Sequence, residues 1–237
     1  MSRRVDRRLA ELSATYALPE AAAGQLAGLL DLVAEDDTAP TTVREPARGV
    51  DAHIADSLTG LDVEALRAAG RIADLGAGAG FPGLVLAAAL PSSHVVLVES
   101  LNRKCAFLER AIERIGLVNA EVVCARAEEW REGIGTVDVV TVRAVAPLNV
   151  LVEYAAPLLV SGGHLVAYKG VRDPAEEADA DAAAAQLGLE LAGVRGVAPF
   201  PGADHHHLYL YVKVGETPAK FPRRAGIARK RPLSTRT

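Results

Sequence analysis

The strongest constraint on this chain is a glycine-rich turn between an apolar run and a helix-like segment. The turn, Asp74-Leu-Gly-Ala-Gly-Ala-Gly-Phe-Pro-Gly83, follows apolar residues from Ile72 onward and leads into Leu84–Leu90. Its alternating glycines allow a sharp bend and leave room for a ligand against the main chain. A second apolar run ends at Glu99, about 20 residues later, where a nucleotide cofactor presents its ribose hydroxyls. This unit predicts a site for a nucleoside-containing small molecule.

The order of the predicted elements indicates an α/β protein. Residues 3–68 read as helices, with a loop at 36–46 and a further helix over 50–69. After that, strands alternate with helices: strands at 71–75, 95–99, 120–124, 137–142 and 164–168, helices near 83–90, 103–115, 147–160 and 174–187. Continuously apolar strands are typical of a parallel sheet covered on both faces. Right-handed crossovers then predict a doubly wound, Rossmann-like sheet.

The end of the predicted sheet narrows the fold class further. Residues 189–214 read as two strands around Pro199-Phe-Pro-Gly202, with no helix between them. An antiparallel hairpin on a mostly parallel sheet is typical of the Rossmann-like methyltransferases. We therefore expect a helical extension at 1–70, a cofactor-binding domain at 71–214 and a basic tail at 215–237.

Charge is distributed unevenly along the chain. In residues 213–237 the basic residues outnumber the acidic ones by seven, whereas the whole chain carries a net charge of −4. A basic tail on an acidic body suggests a polyanionic partner such as nucleic acid. The alternative is a solvated, disordered end.

Other composition features point to a cytoplasmic protein. No apolar run reaches the roughly 18 residues that a membrane span needs, and the charged start of the chain precedes no long apolar stretch. The two cysteines, Cys105 and Cys124, suggest no disulfide framework. We expect both to be reduced, buried thiols.

Two registers of the glycine turn compete for the identity of the cofactor. Gly78-Ala-Gly80-Phe-Pro-Gly83 satisfies the dinucleotide pattern, in which a pyrophosphate lies at the helix N-terminus. Asp74-x-Gly76-x-Gly78-x-Gly80 is the pattern of S-adenosylmethionine (SAM) sites. Asp74 is poorly suited to lie beside a pyrophosphate but suits the ammonium group of SAM. The sequence thus favours SAM, with an NAD-dependent oxidoreductase as the alternative.

The loop after the third strand is expected to pass over the adenine. It reads Arg126-Ala-Glu-Glu-Trp130, so the backbone amide of Ala127 and the carboxylate of Glu128 are candidates to contact the adenine edge. The alternative for Glu128 is a helix-start carboxylate that interacts with the helix dipole.

The fourth strand ends at Arg143, and this position limits the possible methyl acceptors. The Asn/Asp-Pro-Pro-aromatic turn of amino-group methyltransferases is absent there, and neither cysteine lies in a nucleophile motif. Arginine cannot act as a base at neutral pH, but it can position a phosphate or the Hoogsteen edge of guanine. Guanine N7 has a free lone pair, so transfer to it needs alignment rather than proton removal. We therefore take Arg143 as the candidate catalytic residue.

The chain resembles a known family, the ribosomal RNA small-subunit methyltransferase G family. The resemblance spans most of the chain and lies in the glycine turn together with these segments: His53-Ile-Ala-Asp-Ser-Leu58, Glu99-Ser100, Arg103-Lys104, Phe107-Leu108, Arg126-Ala-Glu128, Arg143-Ala144, Lys169-Gly170, Phe221–Gly226 and Lys230–Leu233. The Phe-Pro-Gly extension of the turn and the His-x-x-Asp-Ser-Leu segment are more specific than the glycines. The chain departs from many members at Ala39-Pro-Thr-Thr42 and at Val142.

The resemblance implies SAM-dependent methylation of N7 of one guanine in the decoding-region loop of bacterial small-subunit rRNA. It implies that Gly76, Phe81, Ala127, Glu128 and Arg143 line the SAM site. The substrate is then expected to be small-subunit rRNA, within a 30S particle or its precursor, for an enzyme that is a monomer without metal.

Five residues are candidates to contact the RNA substrate: His53, Lys104, Lys169, Arg223 and Arg224. The alternatives are a helix-packing histidine for His53, a strand-end lysine for Lys169 and a solvated helix residue for Lys104. His53 is also a candidate to form a hydrogen-bonded cluster with Asp56 and Ser57. Two alternatives for the whole chain stay open: a methyltransferase for a small molecule or protein, and a non-enzymatic RNA-binding protein that senses a nucleoside.

The run His205-His-His207 raises the question of a metal site. Neighbouring residues of an extended segment point to opposite faces, and no cysteine or pair of acids completes a tetrahedral ligand set. We expect these histidines to be hairpin-turn residues and expect no metal.

Overall fold

The computed structural model describes residues 2–235. Two antiparallel helices open the chain, α1 (Arg3–Tyr16) and α2 (Ala22–Glu35). Helix α2 buries one face, as its hydrophobic spacing predicts: Leu26, Leu29, Leu30 and Val33. That face packs on the sheet domain, against helices α6 (Gly83–Ala89) and α7 (Asn102–Ile115).

The expected continuous helix over 50–69 is wrong. The chain instead forms short turns of different pitch: α3 (Pro46–Gly49), a π-helical turn (Val50–Ala55), α4 (Asp56–Leu58), a 3₁₀ turn (Thr59–Asp62) and α5 (Glu64–Arg67). Side chains compete for the backbone carbonyls here: Ser57 Oγ donates to the His53 carbonyl at 2.6 Å, and Thr59 Oγ1 donates to the Asp56 carbonyl at 2.6 Å. Such bonds bend helices, and hydrophobic periodicity does not reveal them.

The domain centre is one seven-stranded sheet in the order β3-β2-β1-β4-β5-β7-β6. Its strands are β1 (Arg71–Leu75), β2 (His94–Glu99), β3 (Ala120–Cys124), β4 (Val137–Arg143), β5 (Leu159–Lys169), β6 (Leu189–Val197) and β7 (His206–Lys213). Strands β1–β5 are parallel, and β7 is antiparallel to both β5 and β6. The predicted mostly parallel sheet with a terminal antiparallel hairpin is confirmed.

Helices cover both faces of the sheet. Besides α6 and α7 they include α8 (Leu148–Ala155) and α9 (Pro174–Leu187). Helix α8 ends earlier than predicted and β5 begins earlier, at Leu159, where it pairs with Val137 before a register shift. One hydrophobic layer joins α1, α2, α6 and α7, and the other joins α8, α9 and the C-terminal segment. The helical extension thus shares its core with the sheet.

Residues 215–235, which we call the C-terminal segment, pack against the sheet domain. Phe221 and Ala228 are buried in the layer with α8 and α9, and a short helix α10 (Ile227–Lys230) follows. The Arg223 guanidinium forms a two-bonded ion pair with the Glu153 carboxylate, which is buried in α8. The alternative of a solvated, disordered end does not describe this segment.

The prediction of two reduced thiols is wrong, and the prediction that they are buried holds for Cys105 alone. Cys105 and Cys124 form a disulfide with a Cα–Cα distance of 5.8 Å, and Cys124 is exposed. The bond joins the first turn of α7 to the end of β3, two elements that become neighbours only because β3 pairs with β2 at the sheet edge. Nineteen residues separate the two cysteines in sequence, so the sequence alone does not show this proximity. Among residues 2–235 no helix is both long and apolar enough to cross a bilayer.

Candidate active site

A cavity of about 370 Å³ opens at the carboxyl ends of β1–β4. The strand order reverses between β1 and β4, and ligands of doubly wound sheets bind at this switch point. The lining comes from the ends of these strands and the loops after them, from helices α7 and α8, and from the C-terminal segment: Leu75, Gly76, Val98, Glu99, Ser100, Leu101, Lys104, Ala125, Arg126, Ala127, Glu128, Ala144, Val145, Tyr154 and Arg229. The predicted cofactor residues Gly76, Glu99, Ala127 and Glu128 meet here.

The three alternating positions require glycine for different reasons. All have a positive φ, +69° at Gly76, +57° at Gly78 and +87° at Gly80. A Cβ at Gly76 would lie 2.7 Å from a methyl group of Val145, and one at Gly80 would overlap Leu84. A Cβ at Gly78 would meet only the Gly76 carbonyl oxygen, at 3.7 Å. Gly78 is therefore required by its backbone conformation and not by packing.

Glu99 ties the glycine turn to the end of β2. Its carboxylate is 4 % exposed and accepts from the amides of Ser100 at 2.7 Å and Leu101 at 3.0 Å. The other oxygen accepts from the Gly78 amide at 3.2 Å and lies 3.7 Å from Lys104 Nζ. This carboxylate borders the cavity, where it can also accept from the hydroxyls of a ribose.

Asp74 is buried behind the glycine turn and is not among the residues that border the cavity. Its Oδ2 accepts from the Gly83 amide at 2.8 Å, and its Oδ1 accepts from the Thr141 hydroxyl at 3.4 Å. Burial raises the pKa of Asp74 to about 7, and the Gly83 hydrogen bond opposes this shift. The described contacts make Asp74 an anchor for the start of α6.

The C-terminal segment forms one wall of the cavity. The Gly226 amide donates to Glu128 Oε1 at 2.8 Å, and Arg229 donates to the Val145 carbonyl at 2.7 Å. Both Val145 and Arg229 border the cavity, as does Tyr154. Sequence reasoning missed these three residues. The basic composition of the C-terminal segment does not show where Arg229 packs, and Val145 after β4 and Tyr154 in α8 belong to no recognised motif.

Arg143 lies beside the cavity and points toward the helical extension. Its Nη1 donates to Asp56 Oδ2 at 2.7 Å and to the Ala52 carbonyl at 3.2 Å. The guanidinium carbon lies 5.6 Å from the centre of the Phe81 ring, within cation–π range. Neither Arg143 nor Phe81 is among the residues that border the cavity. Together with Asp56 they form a second part of the site, which we call the arginine cluster.

His53 also belongs to the arginine cluster, through its contact with Phe81. Its ring stacks on Phe81 with centroids 4.3 Å apart and planes 9° apart. Its Nε2 lies 3.0 Å from the Val43 carbonyl oxygen and 3.2 Å from Thr41 Oγ1. Burial lowers the pKa of His53, which favours a neutral ring.

The expected cluster of His53, Asp56 and Ser57 forms only in part. Ser57 Oγ donates to the backbone carbonyl of His53 at 2.6 Å, whereas the Asp56 carboxylate bonds Arg143 and His206. His206 therefore has a role beyond that of a turn residue, and His207 contacts the Gly170 carbonyl at 2.9 Å.

The five candidate RNA contacts have different surroundings. Arg224 is exposed, and Lys104 borders the cavity. Lys169 Nζ pairs with Glu176 at 2.6 Å, Arg223 pairs with Glu153, and His53 is buried. The cations of Lys169 and Arg223 are thus neutralised by acids of this chain.

A family model described as rRNA small subunit methyltransferase G matches residues 25–199, about three quarters of the chain. The chain belongs to this methyltransferase G family. A Ribosomal RNA small subunit methyltransferase G from Rubrobacter xylanophilus is 45 % identical over 196 residues, which cover 80 % of this chain and 75 % of the relative. A methyltransferase G from Chloroflexus aggregans is 37 % identical over 98 % of this chain and all of the relative. The predicted family is confirmed.

Two solved structures share the fold. A SAM-dependent methyltransferase from Aquifex aeolicus superposes with a TM-score of 0.55 at 17 % identity, covering 70 % of this chain and 93 % of that one. A Methanococcus jannaschii fibrillarin, a pre-rRNA processing protein, gives 0.54 at 20 % identity, with coverages of 68 % and 74 %. At such identities the likeness concerns the fold, and the predicted Rossmann-like class is confirmed. Membership of the methyltransferase G family also confirms SAM as the cofactor.

Proposed function

We propose that this chain transfers the methyl group of SAM to N7 of one guanine in small-subunit rRNA. The observation that carries the proposal is the position of Glu99. Its buried carboxylate stands at the tip of β2, on the border of the cavity, and holds the Gly78 amide of the glycine turn. In this fold that is where a nucleoside cofactor presents its sugar.

The residues around the cavity fit a nucleoside better than a pyrophosphate. The carboxylates of Glu99 and Glu128 accept hydrogen bonds from hydroxyl and amino groups and would repel phosphates. Three cations also border the cavity: Lys104 pairs with Glu99, Arg229 donates to the Val145 carbonyl, and Arg126 is exposed to solvent. The fit therefore favours SAM over a dinucleotide.

In the bound state Glu99 would hold the ribose, and Ala127 with Glu128 would contact the adenine. Gly76 borders the cavity, and Val145 packs against it where a side chain would otherwise lie. When bound, SAM supplies an electrophilic methyl group on its sulfonium.

Arg143 is the proposed catalytic residue. Guanine N7 has no proton to remove, so this chain must align the base and exclude water. Asp56 and Phe81 fix the Arg143 guanidinium beside the cavity, and a fixed guanidinium can donate to O6 of guanine while the neighbouring N7 lone pair stays free to attack the methyl group. The contribution expected of Arg143 is thus alignment and charge placement.

The proposed partner is small-subunit rRNA in a 30S particle or its precursor. The C-terminal segment carries exposed cations directly around its cavity-wall residue Arg229: Arg224, Lys230 and Arg231. This exposed positive charge on the segment that contributes to the cavity wall favours a polyanionic substrate. We further propose that the enzyme works in the cytoplasm as a monomer and without a metal.

The decisive experiment supplies tritiated SAM and 30S subunits from a strain that lacks this methyltransferase. Label on guanine N7, located by nucleoside mass mapping, supports the proposal, and subunits from the wild-type strain provide the control because their site is already methylated. Absence of label would reject the assignment. A methyltransferase for a small molecule or protein would show little loss of activity as salt rises, whereas rRNA binding should weaken steeply.

A further inference from the structure

The Asp56 carboxylate is held from both sides. Oδ2 accepts from Arg143 Nη1 at 2.7 Å, and Oδ1 lies 2.8 Å from Nδ1 of His206. The Asp56 side chain is 8 % exposed, and that of His206 is 36 % exposed. His206 opens β7, 150 residues beyond Asp56. The terminal hairpin therefore reaches the arginine cluster through one side chain.

A carboxylate bonded on one oxygen alone keeps a broad torsion about its terminal bond. With a donor on each oxygen, the plane of the Asp56 carboxylate is fixed, and so is the direction in which it holds Arg143. The Ala52 carbonyl and the Phe81 ring then complete the surroundings of the guanidinium.

The position of Arg143 also bears on the cavity. Arg143 ends β4, and the next residue, Ala144, has a φ of +54°, a backbone conformation that residues with a Cβ rarely adopt. Ala144 and Val145 both border the cavity, and Val145 packs where Gly76 has no side chain. A strained turn persists only where its surroundings hold it. Two such supports are the anchored Arg143 side chain on one side of Ala144 and the Arg229 bond to the Val145 carbonyl on the other.

We propose that His206 is a positioning residue of the active site. By holding Asp56 it fixes Arg143, and through Arg143 it fixes the Ala144–Val145 wall of the cavity. This inference rests on the proposed function, because a change in kcat can be measured only if the chain methylates 30S subunits.

The test compares three variants with the wild-type protein. His206→Ala removes the bond to Asp56, whereas His206→Asn keeps a side-chain nitrogen close to the place of Nδ1. His205→Ala is the matched control, because His205 is the exposed neighbour in the same run of histidines. Each protein is assayed for kcat and KM with tritiated SAM on undermethylated 30S subunits, for SAM affinity by calorimetry, and for its thermal midpoint.

We expect His206→Ala to lower kcat about tenfold, in line with the loss of a hydrogen bond to a charged group. SAM affinity should fall by a smaller factor, while KM for the subunits stays near the wild-type value. His206→Asn should recover most of both losses, and His205→Ala should match the wild type. The thermal midpoints of the two His206 variants should be alike.

Two results would overturn the proposal. The first is a wild-type kcat and SAM affinity in His206→Ala, and the second is a loss in His206→Asn as large as that in His206→Ala. If the wild-type protein bound SAM but methylated no subunit, the proposed function would fall, and the SAM affinities of the three variants would still decide the role of His206.

Discussion

The Gly78 amide donates to Glu99 Oε2 at 3.2 Å, so the glycine turn and the tip of β2 are joined directly at the cavity. The same carboxylate accepts from two further amides, those of Ser100 and Leu101. One acidic side chain therefore fixes two loops and still faces the ligand space.

Replacing Glu99 with Gln should show how far SAM binding and stability depend on the negative charge of this side chain. The amide oxygen can keep the bonds to Ser100 and Leu101, but the NH₂ group then faces the Gly78 amide and Lys104, which are both donors. We expect SAM affinity, measured by calorimetry, to fall ten- to a hundredfold, and the free energy of unfolding to fall by about 1–3 kcal/mol. Glu113→Gln on α7 is the control, and unchanged SAM affinity in Glu99→Gln would contradict the assigned role.

Replacing Gly78 with Ala tests the turn without a steric clash. Gly78 and Gly162 both have a positive φ, +57° and +76°, and both have room for a methyl group. Each Ala substitution should therefore cost a similar 1–2 kcal/mol in chemical denaturation, since the left-handed conformation disfavours a Cβ (about 1–2 kcal/mol). SAM binding should weaken in Gly78→Ala alone, because Gly162 lies in β5 outside the cavity. Equal SAM binding by the two variants would show that the turn does not hold the cofactor.

The buried Asp74 should make stability depend on pH. Burial raises its folded-state pKa to about 7 from the ordinary value of 3.8 for an aspartate. The folded protein thus binds a proton that the unfolded chain has released, and the stabilisation present below pH 4 is lost as pH rises toward 7. Asp74→Asn should remove this contribution and be the more stable form above pH 7, by a few kcal/mol at most. If the free energies of unfolding of the two proteins changed with pH in the same way, the predicted contribution of Asp74 would be refuted.

Reducing the Cys105–Cys124 disulfide should lower the free energy of unfolding. The bond closes a loop of 19 residues, which corresponds to about 3 kcal/mol in the chain-entropy model. Denaturation with and without dithiothreitol measures the difference, and a Cys105→Ser/Cys124→Ser variant should be insensitive to the reductant. If dithiothreitol left wild-type stability unchanged, the two cysteines would not be paired in solution.

Arg223 and Arg224 are adjacent cations with different expected roles. Arg223→Ala leaves the buried Glu153 carboxylate without its partner, so we expect a loss of about 3–5 kcal/mol in the free energy of unfolding. Arg224→Ala should leave stability unchanged but weaken rRNA binding and reduce its salt dependence. Binding titrations at several salt concentrations, paired with denaturation curves, check both. The reverse pattern would place the RNA contact at Arg223.

The sequence was sufficient for the sheet and for the centre of the cavity because their signals are local. Apolar runs marked β1–β4 to within a residue, and the glycine turn with Glu99 located one side of the cavity. The side-chain hydrogen bonds of Ser57 and Thr59 broke the expected helix without changing the hydrophobic pattern. Periodicity reports which face is buried, not the pitch of each turn.

What the sequence did not reveal depends on contacts between distant segments. The Cys105–Cys124 bond follows from strand pairing at the sheet edge, and the bond between Asp56 and His206 follows from where the terminal hairpin lies. Arg229 reaches the cavity only because Phe221 and Arg223 dock the C-terminal segment on α8. Each of these needs the assembled fold, so residue types and spacing carry no local sign of them.

The packing of the C-terminal segment has a consequence for how the protein becomes active during synthesis. Gly226 and Arg229 come after all seven strands in the sequence. The sheet can therefore assemble on the ribosome before the residues that complete the cavity wall have been translated. A nascent polypeptide would thus bind the methyl donor with full affinity only once translation of this segment is finished.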